Sequence, residues 1–371
     1  MFKSIKEILN LQDNNLNLFE ETYSNKYLTD NALYELLRDS YNLNENQEKS
    51  LNKILSLENK EEIEENGKIT VMINTFNRLS ELKQCINSIL MQTYNNYEII
   101  IMDDNSTDGT EEYCKELLKD ERIKYFKNNE NKGQAYGKKE YFSKGNGKYI
   151  IFCDDDDYYI DKEFFTKAVK ILESKSCINC VCANSLIKYE DKDKYVFEKL
   201  NFKNMISAYE YLENFQLKYL KPNSTFPVMF RRKTLLKNGI LEMDMINDSS
   251  IYLRSFISNG RVYLLEDIVG IYRVHKSNVT KNLKLDFILA NMYEKKRIYD
   301  FLKEYAKEIK SEEWFEKQIS FTIYYYLTNS KYSSKDIKKL KKWCIEHTGK
   351  NKLKVLFKIL KIQVKNKMKI G

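Results

Sequence analysis

Proline and glycine are scarce in this chain, with 2 and 11 residues among 371. Set beside abundant Asn, Lys, Ile and Tyr, that scarcity reads as the coding bias of an AT-rich genome and marks no structural class. Apolar stretches are short. None approaches the roughly 20 residues that cross a bilayer, which excludes a spanning helix. The opening residues, Met1-Phe2-Lys3-Ser4-Ile5-Lys6, lack the apolar core of a secretory signal, so a cytoplasmic setting is expected. Paired CxxC motifs, the zinc-site pattern, are missing too. Cys177, Cys180 and Cys182 lie in an apolar run that reads as a strand, where buried reduced thiols are expected. Histidine is confined to His275 and His347.

What is present suffices for a globular core: 42% of residues are hydrophobic and 13% aromatic. The length fits one large domain with additions, or two domains. Residues 1–66 read as a helical extension, with short amphipathic helices around Asn31–Leu37 and Leu51–Leu55. The acidic run Glu61-Glu62-Ile63-Glu64-Glu65 then breaks at Asn66-Gly67, the expected boundary. Residues 67–285 alternate strands with helices: strands at 69–73, 97–102, 123–126 and 149–153, and helices at 79–92 and 110–118. That alternation predicts an α/β fold, a mostly parallel sheet flanked by helices. Residues 286–371 read as helical.

Four aspartates, Asp154 to Asp157, follow the apolar run Tyr149-Ile150-Ile151-Phe152-Cys153 directly. Four like charges at the end of a buried strand repel one another unless a cation sits among them. A hard divalent ion with oxygen ligands is the usual resolution, and ligands of open α/β sheets bind at the carboxyl ends of strands.

Five ordered blocks between Lys68 and Asn282 resemble the family 2 glycosyltransferases, inverting enzymes with the GT-A fold (a Rossmann-like sheet). The first is Ile73-Asn74-Thr75-Phe76-Asn77-Arg78, similar to the loop that wraps the donor nucleotide, with Asn74 where the family usually has proline. It continues to Gln92-Thr93-Tyr94. The second runs from Glu98 to Thr110 and contains Asp103-Asp104. By resemblance Asp104 contacts the base, uracil in uridine-dependent members, while Thr107 and Asp108 are placed to cap the next helix. The third, Asn131-Lys132-Gly133-Gln134-Ala135, leads to Lys138. The resemblance turns Lys138 toward the donor phosphates, and the alternative is a solvated helix face.

The aspartate cluster is the fourth block. The family's Asp-x-Asp pattern falls on Asp154 and Asp156, which makes Asp156 the direct metal ligand and puts Asp155 near the ribose or sugar. Mn²⁺ or Mg²⁺ is the implied cofactor, neutralising the leaving nucleoside diphosphate. The fifth block is Phe226 to Arg232, then Asn247-Asp248-Ser249-Ser250 with Arg254 beyond. There Asp248 is the implied general base, and Asn247 replaces the family's usual first acid. The segment Tyr272-Arg273-Val274-His275 is similar to the family's closing Tyr-Arg-x-His, where the histidine approaches the metal or diphosphate. A purely structural histidine is the alternative, and His347 has no motif at all.

The resemblance implies a nucleoside-diphosphate sugar donor and an acceptor that is a glycan, a lipid-linked oligosaccharide or a peptide. A non-catalytic nucleotide-sugar binding module is the competing class, disfavoured because Asp156 and Asp248 are both retained. Residues 350–371 carry eight lysines and no acid. At helical spacing Leu353, Leu356, Phe357, Leu360 and Val364 share one face, which suits an anionic membrane surface, or else a helix docked with its lysines in water. Peripheral attachment at the inner face of the plasma membrane is therefore expected, and no aromatic-basic motif points to nucleic acid.

Overall fold

The computed structural model describes residues 1–9, 14–55, 67–243, 246–275 and 283–368. The acidic run Glu61–Glu65, the break at Asn66 and the tail of the closing segment, Lys276-Ser277-Asn278, lie outside these residues. One sheet collects the strands β1 Ile69–Thr75, β2 Tyr97–Asp103, β3 Ile123–Lys127, β4 Tyr149–Asp154, β5 Tyr158–Tyr159, β6 Ile178–Tyr189, β7 Lys194–Phe197, β8 Met205–Ser207, β9 Val228–Arg231 and β10 Arg261–Val274. Their order is β3-β2-β1-β4-β9-β6-β10-β5, with β7 on β6 and β8 on β10. The first four strands run parallel. β9 is antiparallel to β4 and β6, and β10 is parallel to β6. The α/β expectation holds, with a parallel half and a mixed half.

Strand periodicity explains the two layers. Ile69, Val71 and Ile73 point to one face and meet Leu82, Cys85, Ile86 and Ile89 of the Leu79–Leu90 helix, a spacing of one apolar helical stripe. Met72, Ile150 and Phe152 point to the other face, against Tyr141, Phe142 and the later helices. Both faces are covered, so β1, β2 and β4 read as continuous apolar runs rather than alternating ones. Cys180 and Cys182 are buried in β6, whereas Cys177 is exposed because the strand begins one residue after it.

The N-terminal helices Phe2–Leu9, Asn14–Ser24, Asp30–Tyr41 and Glu45–Ile54 form their own apolar cluster. That cluster closes over Tyr158, Ile160, Leu186, Tyr195, Ile268 and Ile271, the far end of the sheet. At the other extreme, helices Leu285–Tyr305, Ser311–Asn329, Ser334–His347 and Lys352–Met368 share one continuous core with the sheet. Trp314 Nε1 donates to the Leu212 carbonyl at 2.9 Å and Gln318 Nε2 to that of Phe215 at 2.8 Å.

The last helix divides its apolar residues between two faces. Val355 and Ile359 are fully buried against the protein, while Leu353, Phe357 and Leu360 are 72%, 68% and 49% exposed. Leu356 is partly buried against the core and does not join the exposed row. Among the described residues no helix is long and apolar enough to cross a membrane.

Candidate active site

The parallel strands end in register, with Asn74 opposite Met102 on one side and Asp154 on the other, and Thr75 opposite Asp103. Three turns therefore leave the sheet at one edge. In the first, Asn77 takes a left-handed φ of 50°, which brings its side chain onto the second turn. Its Oδ1 accepts from the Thr107 N–H at 2.8 Å, and its own N–H donates to Ser106 Oγ at 2.9 Å. Thr75 is buried beside it. Asp108 accepts from Leu79 N–H at 2.9 Å and Thr110 Oγ1 at 2.6 Å, so it serves the starts of two helices. Thr107 contributes its N–H to the bond with Asn77, and Gly109 is the N-cap of the Thr110–Leu117 helix.

Asp104 is buried and already engaged. Its Oδ1 accepts from Asn128 Nδ2 at 2.9 Å and Lys132 N–H at 2.8 Å, and its Oδ2 accepts from Gly133 N–H at 2.7 Å. The carboxylate thus folds the 128–133 turn. Accepting one bond, Oδ2 keeps a lone pair for a ligand.

The aspartate cluster is knitted to cations. Arg78 Nη1 donates to Asp155 Oδ1 at 2.9 Å and to Asp156 Oδ2 at 2.8 Å. His275 Nε2 lies 2.6 Å from the same Asp156 oxygen. Lys138 Nζ is 3.2 Å from Asp154 Oδ1 and 3.6 Å from Asp248 Oδ1. Lys138 is almost fully buried, which removes the solvated-face alternative. Burial alone would lower its pKa, but Asp154 and Asp248 overrule that and hold the ammonium above its ordinary value.

Burial acts on each carboxyl, and the neighbours decide the outcome. Asp155 is pushed up to about 7 by burial, with Arg78 only partly offsetting it. Asp157 is pushed well above the carboxylate range by burial and by the charges of Asp156 and Asp154. Burial also opposes the charge on Asp156, yet the His275 hydrogen bond and Arg78 outweigh it and bring that group below its usual value. Asp154 ends above its ordinary value, burial outweighing Lys138.

Two observations make the cluster a fit for a divalent ion. Carboxylate oxygens of Asp154, Asp156 and Asp157 lie within 4.8 Å of one another. In addition, the buried Oδ2 atoms of Asp155 and Asp157 have no hydrogen-bond partner. Hard oxygen donors of this kind suit a divalent cation such as Mg²⁺ or Mn²⁺. Asp157, outside the Asp-x-Asp positions, joins this oxygen set, while Asp155 turns toward Arg78.

Asp248 opens the Asp248–Phe256 helix, but Asn247 caps it, its Oδ1 accepting from Ser250 N–H at 3.1 Å. The replaced acid therefore keeps a hydrogen-bonding role, and Asp248 is left facing Lys138. Arg254, on the same helix, turns away into a buried pair with Glu294 at 2.6 Å.

Sequence reasoning missed Lys221, whose Nζ stands 3.9 Å from Asp248 Oδ2. Burial draws its pKa below the ordinary lysine value despite Asp248. The only local signal is Pro222 beside it, because Lys221 reaches the site through the loop before β9. Tyr272 also senses the cluster: burial, then the charges of Asp157 and Asp248, push its hydroxyl upward.

A parallel half-sheet with acids at its strand ends, continued by a mixed half, is the GT-A architecture. S. aureus TarS 1–349, solved in complex with UDP-GlcNAc, has a similar fold, with a TM-score of 0.57 at 14% identity over 75% of this chain and 79% of that one. Residues 70–242 match the family model Glycosyl transferase family 2, so this segment is similar to that family. It is 38% identical over 130 residues to an uncharacterized glycosyltransferase of Rickettsia conorii, covering 35% of this chain. The chain spans only 21% of that relative's length. A Campylobacter jejuni GalNAc(5)-diNAcBac-PP-undecaprenol beta-1,3-glucosyltransferase is 28% identical over 270 residues, covering 67% of this chain and 83% of the relative.

Proposed function

We propose that this protein moves a sugar from a nucleoside-diphosphate sugar, a UDP-sugar, to an acceptor hydroxyl with inversion at the anomeric carbon. The observation that carries the reading is Lys138, one buried ammonium within 3.6 Å of both the aspartate cluster and Asp248. A base and a diphosphate-binding region are thereby held a few ångströms apart. Thr75, Asn77, Arg78 and Asp104 form the nucleotide side of the site, and Lys138 faces the diphosphate.

Asp248 accepts the proton of the acceptor hydroxyl as its oxygen attacks the anomeric carbon, and the bond to the diphosphate oxygen breaks with its electron pair on the leaving group. Lys138, Lys221 and Arg78 supply positive charge near the atoms where negative charge grows. Asp154, Asp156 and Asp157, with His275 hydrogen-bonded to Asp156, would hold a divalent cation, which would supply Lewis-acid neutralisation of the diphosphate.

The acceptor in this reading is a lipid-linked glycan, supported by the undecaprenol-linked acceptor in the name of the C. jejuni relative. The exposed row Leu353, Phe357 and Leu360, on a helix rich in lysine, supports an enzyme resting on the anionic cytoplasmic face of a membrane. Deleting residues 350–371 is a poor test, because it strips the buried Val355 and Ile359 from the core. The triple substitution Leu353→Ser, Phe357→Ser and Leu360→Ser should weaken binding to phosphatidylglycerol vesicles while sparing donor turnover. Unchanged vesicle binding rules out the surface.

The enzymatic reading is tested by nucleoside diphosphate release from UDP-, GDP- and TDP-sugars, with and without Mn²⁺, on wild type and Asp156→Ala. Release from one donor, dependent on metal and lost in the variant, is expected. Failure to bind any metal–nucleotide pair defeats it and favours neither a transferase nor a binding module.

A further inference from the structure

Asp39 lies in the N-terminal Asp30–Tyr41 helix, far in sequence from the aspartate cluster. Its carboxylate nevertheless reaches both chain segments that carry the cluster's ligands. Oδ2 accepts a short hydrogen bond from the hydroxyl of Tyr158, the residue next to Asp157. Oδ1 accepts from Gln84 Nε2 at 2.6 Å. Gln84 Oε1 in turn accepts a short bond from Arg273 Nη2. The Arg273 guanidinium stacks 4.8 Å from the Tyr158 ring centroid, and its backbone N–H donates to Asp157 Oδ1 at 3.4 Å. Two residues further on is His275, 2.6 Å from Asp156.

The two segments are neighbours by strand pairing, Tyr158 opposite Ile271 and Tyr159 opposite Gly270. That pairing is only two residues long, too short to fix the turn carrying Asp154 to Asp157 by itself. Apolar packing covers one side of this junction, where Tyr158 and Ile271 join the cluster of the N-terminal helices, and leaves a gap beside it. A cavity of about 380 Å³ lies between the Asp30–Tyr41 and Leu79–Leu90 helices, and Arg38, Asp39, Gln84 and Tyr158 are among its lining residues. Polar contacts cross the junction beside this cavity, and two of them converge on one carboxylate. Lys188, 3.9 Å from Asp39 Oδ2, is the cation facing it.

We propose that Asp39 is a positioning residue for the metal-binding aspartates, acting through Tyr158 and through Gln84 and Arg273. The helical extension would then be a structural part of the catalytic site. This rests on the aspartate cluster binding a metal–nucleotide pair, as in the proposed function. Residues that orient ligands from behind typically change metal affinity 10–100-fold when altered.

The test compares wild type with Asp39→Asn, Gln84→Ala and Tyr158→Phe in the full chain. Ser40→Ala serves as the control, because it removes the bond from Ser40 Oγ to Tyr195 on the same helix. Hydrogen exchange of the peptides covering 154–159 and 270–275 is measured without metal, and Mn²⁺ affinity is measured calorimetrically in the presence of UDP, with no turnover. Faster exchange in both peptides with Mn²⁺ affinity weakened about tenfold, and neither change in Ser40→Ala, is expected. Exchange at the wild-type rate overturns the proposal, and so does faster exchange with unchanged Mn²⁺ affinity, which would leave only a packing role. Wild-type protein that binds no Mn²⁺ with UDP overturns the functional reading itself, and the positioning role falls with it.

Discussion

His275 Nε2 and Asp156 Oδ2 lie 2.6 Å apart although 119 residues separate them. Arg78 shares the same oxygen at 2.8 Å, so three distant segments meet at one carboxylate atom. The contact joins the end of β10 to the turn after β4, across the junction of the parallel and mixed halves of the sheet.

The imidazole is expected to tune a metal site rather than create it. His275→Ala should raise the Mn²⁺ concentration giving half-maximal donor turnover by about 10–100-fold, with activity recovered at high Mn²⁺. Asp156→Ala should not be recovered. A metal titration of both variants decides, and identical curves for His275→Ala and wild type would remove the histidine from the site.

Asp248 can be altered without touching the helix cap, because Asn247 makes the capping bond. Asp248→Asn should lower kcat by about 10²–10⁴-fold with little change in donor KM or melting temperature. Steady-state kinetics with acceptor present measures this. A loss confined to KM would make Asp248 a binding group.

Glu98 links β2 to its neighbours through Lys68 at 3.0 Å, Lys124 at 2.9 Å and Thr70 at 2.8 Å. Burial opposes its charge, but the Asn146 N–H and these side chains win and bring its pKa down to about 2. A carboxylate depressed in the fold stabilises above its unfolded value near 4.5 and loses that contribution as pH falls toward 2. Glu98→Gln should cost about 3 kcal/mol at pH 7, shrinking as acid is added. Urea unfolding at pH 7 and pH 3 checks it, and a cost independent of pH would contradict it.

Lys295 has the opposite sign. It is buried between two C-terminal helices, donating to Thr322 Oγ1 at 2.6 Å, and burial draws its pKa down to about 7. Below that value the native ammonium carries its full burial penalty, and the penalty is relieved as pH rises toward the unfolded value of 10.5. Lys295→Met should stabilise the protein at pH 6 by an amount on the order of a few kcal/mol, with less effect at pH 10. Equal effects at both pH values would show that the amine is not shifted.

The residues alone determined the sheet's parallel half and the acidic edge where its strands end. Apolar runs at Ile69–Ile73, Tyr97–Met102 and Tyr149–Cys153 are strands, and the Leu82, Cys85, Ile86 and Ile89 stripe is a helix, because backbone period sets those patterns within a few residues. The acids were legible for the same reason: Asp154 to Asp157 sit where a buried strand must end. Tertiary structure decided what those acids face. Asp39 and the engagement of Asp104 by the 128–133 turn leave no local trace, and Lys221 only the neighbouring Pro222, since polar contacts between distant segments have no period in sequence. The last helix shows the limit well. Its composition announced an amphipathic segment, but which apolar residues bury and which stay exposed depended on the surface it met, so Val355 and Ile359 went inward while Leu353, Phe357 and Leu360 remained in solvent.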